Sequence, residues 1–391
     1  DPVHRESIAS QARTEVLERY SLERYSDLYR ETYEGVARRP RTKRSSPRSS
    51  IIIPVFNRVE LTRDCITALL RTTAERDIEI IVVDNGSSDG TAEYLTSLSE
   101  PIRVIRNAQN LGFARACNQA ARVATCEYLF FLNNDTIPLA DWLEPLLAEL
   151  DRHPEVGIVG NKLLYANGTI QHAGVAFSLP DGVPYHIYRG VDAHHPAVER
   201  RRELRAVTGA CMLVRRSLFE SLGGFDEGYQ NGFEDVDLCL RAGDSGVKVV
   251  YQPRSVVVHL EEQSDGRKDH DEENLVRLLR SWAGRSFPDE VGRLLEDGLI
   301  VNSAPGGQQR WIVPLPEGPV RKRWERIAEM ERRVAASGLQ TVTELPPTAE
   351  EWPDDSAALQ WGEKLCTWTA LTERAEAFRR RLEAIGGSQA A

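Results

Sequence analysis

No apolar run in this chain approaches the ~18 residues needed to cross a bilayer, which excludes a membrane-spanning helix. The amino terminus has no signal-peptide pattern. Cysteine is scarce and scattered: 6 residues, at positions 65, 117, 126, 211, 239 and 366, never fall into a CxxC or similar ligand spacing. That excludes a thiolate zinc site or a dithiol redox motif and leaves reduced core residues as the expectation, as in a cytosolic protein. There is no excess of positive charge either. A net charge of −10 argues against general nucleic-acid binding. Internal repeats and low-complexity blocks are also missing.

The remainder is an ordinary globular composition, 391 residues with 41% hydrophobic and 28% charged side chains. It suffices for one large α/β domain with extensions, or for two domains. The chain begins at Asp1 without a methionine, and the expectation is an excised piece of something longer.

Three stretches follow one another. Residues 1–48 carry spaced apolar residues at near-helical intervals (Val16, Leu17, Tyr20, Leu28) and then a basic run, Arg38, Arg39, Arg41, Lys43, Arg44 and Arg48, broken by Pro40 and Pro47. They read as a helical extension and solvated linker, with contact to an anionic membrane surface as a second role. From residue 49 to about 287, short β-branched runs alternate with helical stretches: Ile51–Val55, Ile78–Val83, Ile102–Ile105, Tyr128–Leu132 and Val156–Val159. This spacing predicts βαβ units, a parallel sheet flanked by helices and a doubly wound, Rossmann-like architecture. Residues 163–205, rich in Gly, Pro, His and Tyr, predict short strands and loops over a sheet edge, with no chemistry legible in them. Residues 288–391 predict a helical accessory region, with Trp324, Ile327, Trp361, Leu365, Trp368 and Phe378 at helical spacing.

Ligands in open α/β sheets collect at the carboxyl ends of strands, so the residues that end each run are the candidates. The first run ends in Pro54, Val55, Phe56 and Asn57, where an aromatic ring and an amide suit a base or ribose, and where a Pro-containing loop entry would look the same. The second ends in Asp84 and Asn85 before Gly86-Ser87-Ser88-Asp89-Gly90-Thr91. Helix capping accounts for part of that string but not for the carboxylate of Asp84. The third leads through Asn110 and Gly112 into a helix start, where small residues let backbone approach a ligand and the helix terminus attracts phosphate. The fourth, YLFFL, stops in Asn133-Asn134-Asp135, which is either turn chemistry or a metal and phosphate site. Further on, Glu234, Asp235 and Asp237 cluster at a helix start, and two small-residue segments, Gly209-Ala210-Cys211-Met212 and Gly223-Gly224-Phe225-Asp226, are expected to flank a helix before them.

In order along the chain, IIIPVFNR, IIVVDNGSSDGT, NLGFARACNQA, LFFLNNDT, TGACMLVRRSLFESLGGFDE, FEDVDLCLRA and VVVHLEEQSDG together resemble the family 2 glycosyltransferases of the GT-A fold, in particular their bacterial rhamnosyltransferase-like branch. The resemblance runs from Ile51 to Gly266. It implies a nucleotide-sugar pocket at Pro54, Phe56, Asn57, Asp84, Asn85, Asn110 and Gly112, with Asn133 and Asn134 beside the sugar diphosphate. Asp135 then fills the metal-ligand place of the family's DxD motif and His259 the later one, for Mn²⁺ or Mg²⁺. Asp235 becomes the general base, with Glu234 as its neighbour. Beside the resemblance, Gly209 lets a sugar approach closely and Asp226 suits its hydroxyl as acceptor contacts, while close packing and turns would look the same.

The implied activity is inverting transfer of a sugar from a UDP- or dTDP-sugar to a hydroxyl of a carbohydrate or glycolipid acceptor, in bacterial surface-glycan synthesis. The setting is cytoplasmic, with the extensions available for peripheral membrane contact, a partner protein or a homodimer. Two of the three places in the DxD-like motif are Asn, so a degenerate GT-A module that binds nucleotide sugar or serves as a scaffold is the alternative. A nucleotidyltransferase would need a Gly-rich basic loop where this chain has PVFNRVE.

Overall fold

Strands buried on both faces leave no room for polar alternation, and the central runs of this chain obey that rule: Tyr128 through Leu132 are all buried, as are Ile80 through Val83. The computed structural model describes residues 48–73, 78–98, 102–178, 182–260, 270–282, 288–303 and 310–337. The helices expected before residue 48, most of the basic stretch, Glu261 and Glu262, and the aromatic residues Trp361, Trp368 and Phe378 lie outside the described residues.

β1 (Ser49–Val55), α1 (Val59–Thr73), β2 (Ile78–Asp84), α2 (Thr91–Thr96), β3 (Ile102–Arg106), α3 (Phe113–Ala121) and β4 (Tyr128–Leu132) alternate as expected. These strands lie in the parallel order β3-β2-β1-β4, with Val55 level with Asp84 and Asp84 level with Arg106. α1 buries Thr62, Cys65, Ile66, Leu69 and Thr73, one stripe at helical spacing, against this sheet. Beyond β4 come β5 (Thr136–Pro138), α4 (Glu144–Arg152), β6 (Val156–Leu164), β7 (Ile170–His172), β8 (Val175–Phe177), β9 (Pro184–His186), β10 (Arg202–Leu204), β11 (Cys211–Arg215), α5 (Arg216–Ser221), α6 (Glu234–Asp244) and β12 (Lys248–His259).

The sheet continues β4-β11-β6-β12-β10, with β5 on β12 and β7 on β6. β11 runs antiparallel to both its neighbours, so β6 and β12 point the same way as β1 to β4. The helix expected between Gly209–Met212 and Gly223–Asp226 is α5, of 6 residues, and a strand that was not expected, Cys211–Arg215, leads into it. The run CMLVR is apolar without a flanking turn signal on its carboxyl side, and periodicity cannot separate such a run from a buried helix. Trp142 locks the helical face to this sheet. Its ring meets Phe130 edge-on at 4.8 Å, and its indole N–H donates to Thr72 Oγ1 at 3.1 Å.

Cys65, Cys117, Cys126, Cys211 and Cys239 are free thiols buried in this framework. Burial pushes the Cys65 thiol up to about 12, which makes it inert. No helix among the described residues is long and apolar enough to cross a membrane.

The chain divides into two compact units, residues up to 175 with 186–274, and residues 176–185 with those from 275 onward. α7 (Asp271–Ser281) lies at the junction in sequence. The second unit contains α8 (Glu290–Glu296), a hairpin of β13 (Leu299–Ser303) and β14 (Arg310–Pro314), and α9 (Pro319–Ser337). The hairpin was not expected in a region that reads as helical. Its strands carry β-branched pairs, Ile300–Val301 and Ile312–Val313, that face each other across the ladder.

In the second unit, Glu331 of α9 caps the start of α8, accepting from Val291 N at 3.2 Å and Gly292 N at 2.8 Å. Burial outweighs these two bonds and the carboxyl rises to about 7, with Asp289 and Glu290 adding to the rise. A raised acid binds its proton more tightly folded than unfolded, so its contribution is complete below pH 4.5 and is lost as pH climbs through about 7. Glu331→Gln removes this titration. The variant is expected to melt with the wild type near pH 4 and above it near pH 8, read by thermal unfolding of the full chain.

Candidate functional site

The loops after β1 and β2 are stitched together. Asn57 N donates to Ser87 Oγ and Ser88 N to Asn57 Oδ1, each at 2.8 Å, while Asn85 N reaches Val55 O at 2.7 Å. Asn57 and Arg58 take left-handed backbone, φ 56° and 57°, which turns the chain sharply beyond Phe56. Gly86 is required here, because a Cβ would lie 2.7 Å from Gln109 Cα. Asp84 is 0% exposed. Its Oδ1 accepts from Ser87 N at 2.9 Å, and its Oδ2, with no hydrogen bond, lies 3.5 Å from the half-solvated guanidinium of Arg106. A buried carboxylate oxygen held beside an exposed cation is an acceptor for an N–H or hydroxyl.

Asn85 holds the neighbouring loop. Its amide donates to Asn110 Oδ1 (2.8 Å) and Gly112 O (3.3 Å), and its Oδ1 accepts from Asn107 Nδ2 (3.0 Å) and Leu111 N (3.1 Å). Asn110 Oδ1 also accepts from Gly112 N at 2.9 Å. These amides shape the loop from within. At the start of α3 the Phe113 N–H, which a phosphate would otherwise be offered, donates to Asn231 Oδ1 at 2.9 Å. Asn231 stands at φ 58° in the segment leading to α6, so the loop before that helix is tied to the start of α3.

At the end of β4, Asn133 N donates to Ala210 O at 2.9 Å and Asn133 O accepts from Thr136 Oγ1 at 2.7 Å. Asn134 Nδ2 donates to Thr62 Oγ1 of α1 at 3.0 Å. Asp135 and His259 are brought together by the register of β5 with β12, where His259 is level with Thr136, and by Leu260 N donating to Asp135 O at 2.9 Å. Asp135 is 6% and His259 2% exposed. His259 Nε2 lies 3.1 Å from Asp135 Oδ1 but off the line of a hydrogen bond. A nitrogen and an oxygen donor facing each other in this way fit a divalent cation, which takes both. Among the described residues no group of three or more His, Cys, Asp and Glu is placed to hold a metal.

The Ala210 carbonyl that meets Asn133 belongs to the same turn as Gly209, whose N–H donates to Asp235 Oδ2 at 2.6 Å. A Cβ on Gly209 would lie 3.0 Å from Asp235 Cβ, so only glycine lets the carboxylate come this close without displacement. Asp235 Oδ1 accepts from Val236 N at 2.8 Å. Each oxygen retains a second lone pair. Glu234 is turned the other way and accepts from Gly232 N at 2.7 Å, at the start of α6 after Phe233 with φ 69°.

Asp237 is structural. It pairs with Arg241 at 2.7 Å, and Arg241 donates to Leu222 O and Gly224 O. Asp226 Oδ1 accepts from Gly228 N at 2.9 Å in the loop between. Sequence reasoning missed Gln171, His172 and Asn231, whose hydrogen bonds reach His259, Thr208 and Phe113. None lies in a periodic segment long enough to mark its partner.

Residues 50–223 match the family Glycosyl transferase family 2, and the chain carries a domain of that family. An O-antigen biosynthesis protein, RfbC, of Myxococcus xanthus is 35% identical over 252 residues, 62% of this chain and 20% of that protein. An N-acetylglucosaminyl-diphospho-decaprenol L-rhamnosyltransferase of Mycobacterium tuberculosis is 28% identical over 221 residues, 51% of this chain and 72% of that protein. The crystal structure of GalNAc-T7 with UDP, GalNAc and Mn²⁺ superposes with a TM-score of 0.48 at 16% identity, covering 64% of this chain and 52% of that one. The chain spans well under half the length of some of the curated relatives it matches.

Proposed function

We propose that this chain is an inverting, metal-dependent glycosyltransferase that moves a sugar from a UDP- or dTDP-sugar to a hydroxyl of a carbohydrate or glycolipid acceptor in bacterial surface-polysaccharide synthesis. One observation carries the reading: the Gly209–Ala210 turn binds Asp235 through the Gly209 N–H and Asn133, two residues from Asp135, through the Ala210 carbonyl. A proton acceptor and a cation-binding pair are thereby fixed to the ends of the same sheet strands.

Asp84, Phe56 and Asn57 receive the base and ribose, Pro54 fixes the loop entry, and Asn85, Asn110, Gly112, Asn133 and Asn134 shape the wall along the diphosphate and sugar. Asp135 and His259 would hold Mn²⁺ or Mg²⁺, which when bound neutralises charge on the diphosphate. Asp235 takes the proton from the acceptor hydroxyl as that oxygen bonds to the anomeric carbon, while the carbon–oxygen bond to the diphosphate breaks on the opposite face. Glu234 supports the turn that presents Asp235, and Gly209 and Asp226 line the acceptor side.

Residues 49–287 form the catalytic domain in this reading. Residues 1–48 and 288–391 serve as accessory regions, suited to peripheral contact with the inner face of a membrane, a partner protein or a second copy, in a cytoplasmic setting. Calorimetric titration with UDP, dTDP and GDP, each with and without Mn²⁺, tests it. Tight binding of UDP or dTDP only with metal is expected. Failure of all three to bind would sink the transferase reading and leave a degenerate scaffold.

A further inference from the structure

Gln171 lies on β7, a strand of 3 residues, and is 0% exposed. Its side-chain amide places two atoms within reach of His259 Nδ1, Nε2 at 2.8 Å and Oε1 at 3.1 Å. The strand that carries it is pinned from both sides. His172 accepts from Thr208 N at Nε2 (3.2 Å), which puts its own proton on Nδ1, facing Asn161 O at 3.3 Å. Burial holds the His172 imidazole well below its ordinary range and therefore neutral. His186 Nδ1 sits 3.2 Å from the Gln171 carbonyl, and its ring meets His172 edge-on at 4.7 Å.

A neutral imidazole has one N–H and one lone pair, and the partner of one nitrogen decides what the other presents. Were Gln171 to donate to Nδ1, the proton of His259 would sit on Nε2 and its natural partner would be Asp135 Oδ1, 3.1 Å away. The ring is not aligned for that bond. In the alternative, Gln171 Oε1 accepts from Nδ1–H and Nε2 turns a lone pair toward Asp135 Oδ1, two acceptors facing each other that a cation between them would join. We infer that Gln171 is a positioning residue that fixes the tautomer and ring angle of His259 for a divalent cation, an inference that rests on the metal reading above. A partner of this kind is worth about 10–100-fold in metal affinity.

The test uses the purified full chain and Mn²⁺, in the presence of UDP and in parallel dTDP, with bound Mn²⁺ followed by electron paramagnetic resonance. Gln171→Met fills the same volume with no acceptor at that place. It is expected to weaken Mn²⁺ binding about 10–100-fold. Gln171→Glu, which can only accept, is expected to bind as wild type does. Long-range ¹⁵N–¹H spectra of the metal-free wild type are expected to show His259 protonated at Nδ1.

A folded Gln171→Met chain with wild-type affinity, or a spectrum showing the proton on Nε2, overturns the inference. Should Gln171→Met fail to fold, loss of binding in Gln171→Glu overturns it and retention upholds it. Asp135→Ala separates the two levels. If it binds Mn²⁺ as wild type does, the metal reading has failed and this inference with it. If it loses Mn²⁺ while Gln171→Met keeps it, only the role of Gln171 is lost.

Discussion

Asp235→Asn is expected to reduce sugar transfer by on the order of 10²–10⁴-fold, the usual contribution of a positioned proton acceptor, while leaving nucleotide binding nearly intact. The substitution changes little else. An Asn Oδ1 can still accept the Gly209 N–H that Asp235 Oδ2 accepts now, so the turn joining this residue to Asn133 stays in place. The loss on the other side is the bond from Val236 N, now accepted by Oδ1, which an amide NH₂ cannot accept; one such bond is worth about 1 kcal/mol. That is too little to unfold a domain of this size. The two readouts are single-turnover transfer and calorimetric affinity for the nucleotide. Transfer at the wild-type rate would remove Asp235 from the mechanism, and parallel loss of binding would mean that the residue holds the loops rather than the proton. Glu234→Gln serves as the contrast, since Glu234 faces Gly232 and keeps an acceptor there as an amide.

The strand ends were legible in the sequence because burial on both faces forces a plain apolar run, and such a run has to stop in polar residues where the chain leaves the sheet. Asp84 and Asp135 stand at those stops, and the structure puts them there. What pairs with what was less legible. Asn85 and Asn110 look alike as ligand contacts and as loop supports, since one amide can serve either, and only coordinates reveal that Asn85 reaches Asn107, Asn110, Leu111 and Gly112. Asn231 caps a helix 118 residues away, a separation at which no local pattern exists. β7 is too short for an alternating pattern, and the segment around it yielded no chemistry on reading. β11 was hidden for another reason: a short apolar run that passes directly into a helix carries no signal for its own direction. The hairpin of β13 and β14 was obscured by intervening Pro and Gly residues that a hairpin loop uses as readily as a linker does.

Asp135→Ala is expected to abolish most of the dependence of nucleotide binding on metal. Among the described residues one carboxylate and one imidazole face each other at this point, with Asn133 and Asn134 adding no charge, so in the proposed reading the diphosphate completes the site. Binding of metal and of nucleotide is then strongly coupled, and linkage requires that each raise the affinity of the other by the same factor. Losing a charged partner costs about 2–3 kcal/mol, so Mn²⁺-supported affinity for the diphosphate should fall roughly 30- to 160-fold. Metal-free affinity should hold or rise slightly, because the same change removes a negative charge that faces the diphosphate. His259→Ala should act in the same direction without that rise, since an imidazole carries no negative charge to repel a diphosphate. Titration of both variants with and without Mn²⁺ reads all four constants. A fall of equal size in the presence and absence of metal would show that Asp135 supports the fold of the loop and not a cation.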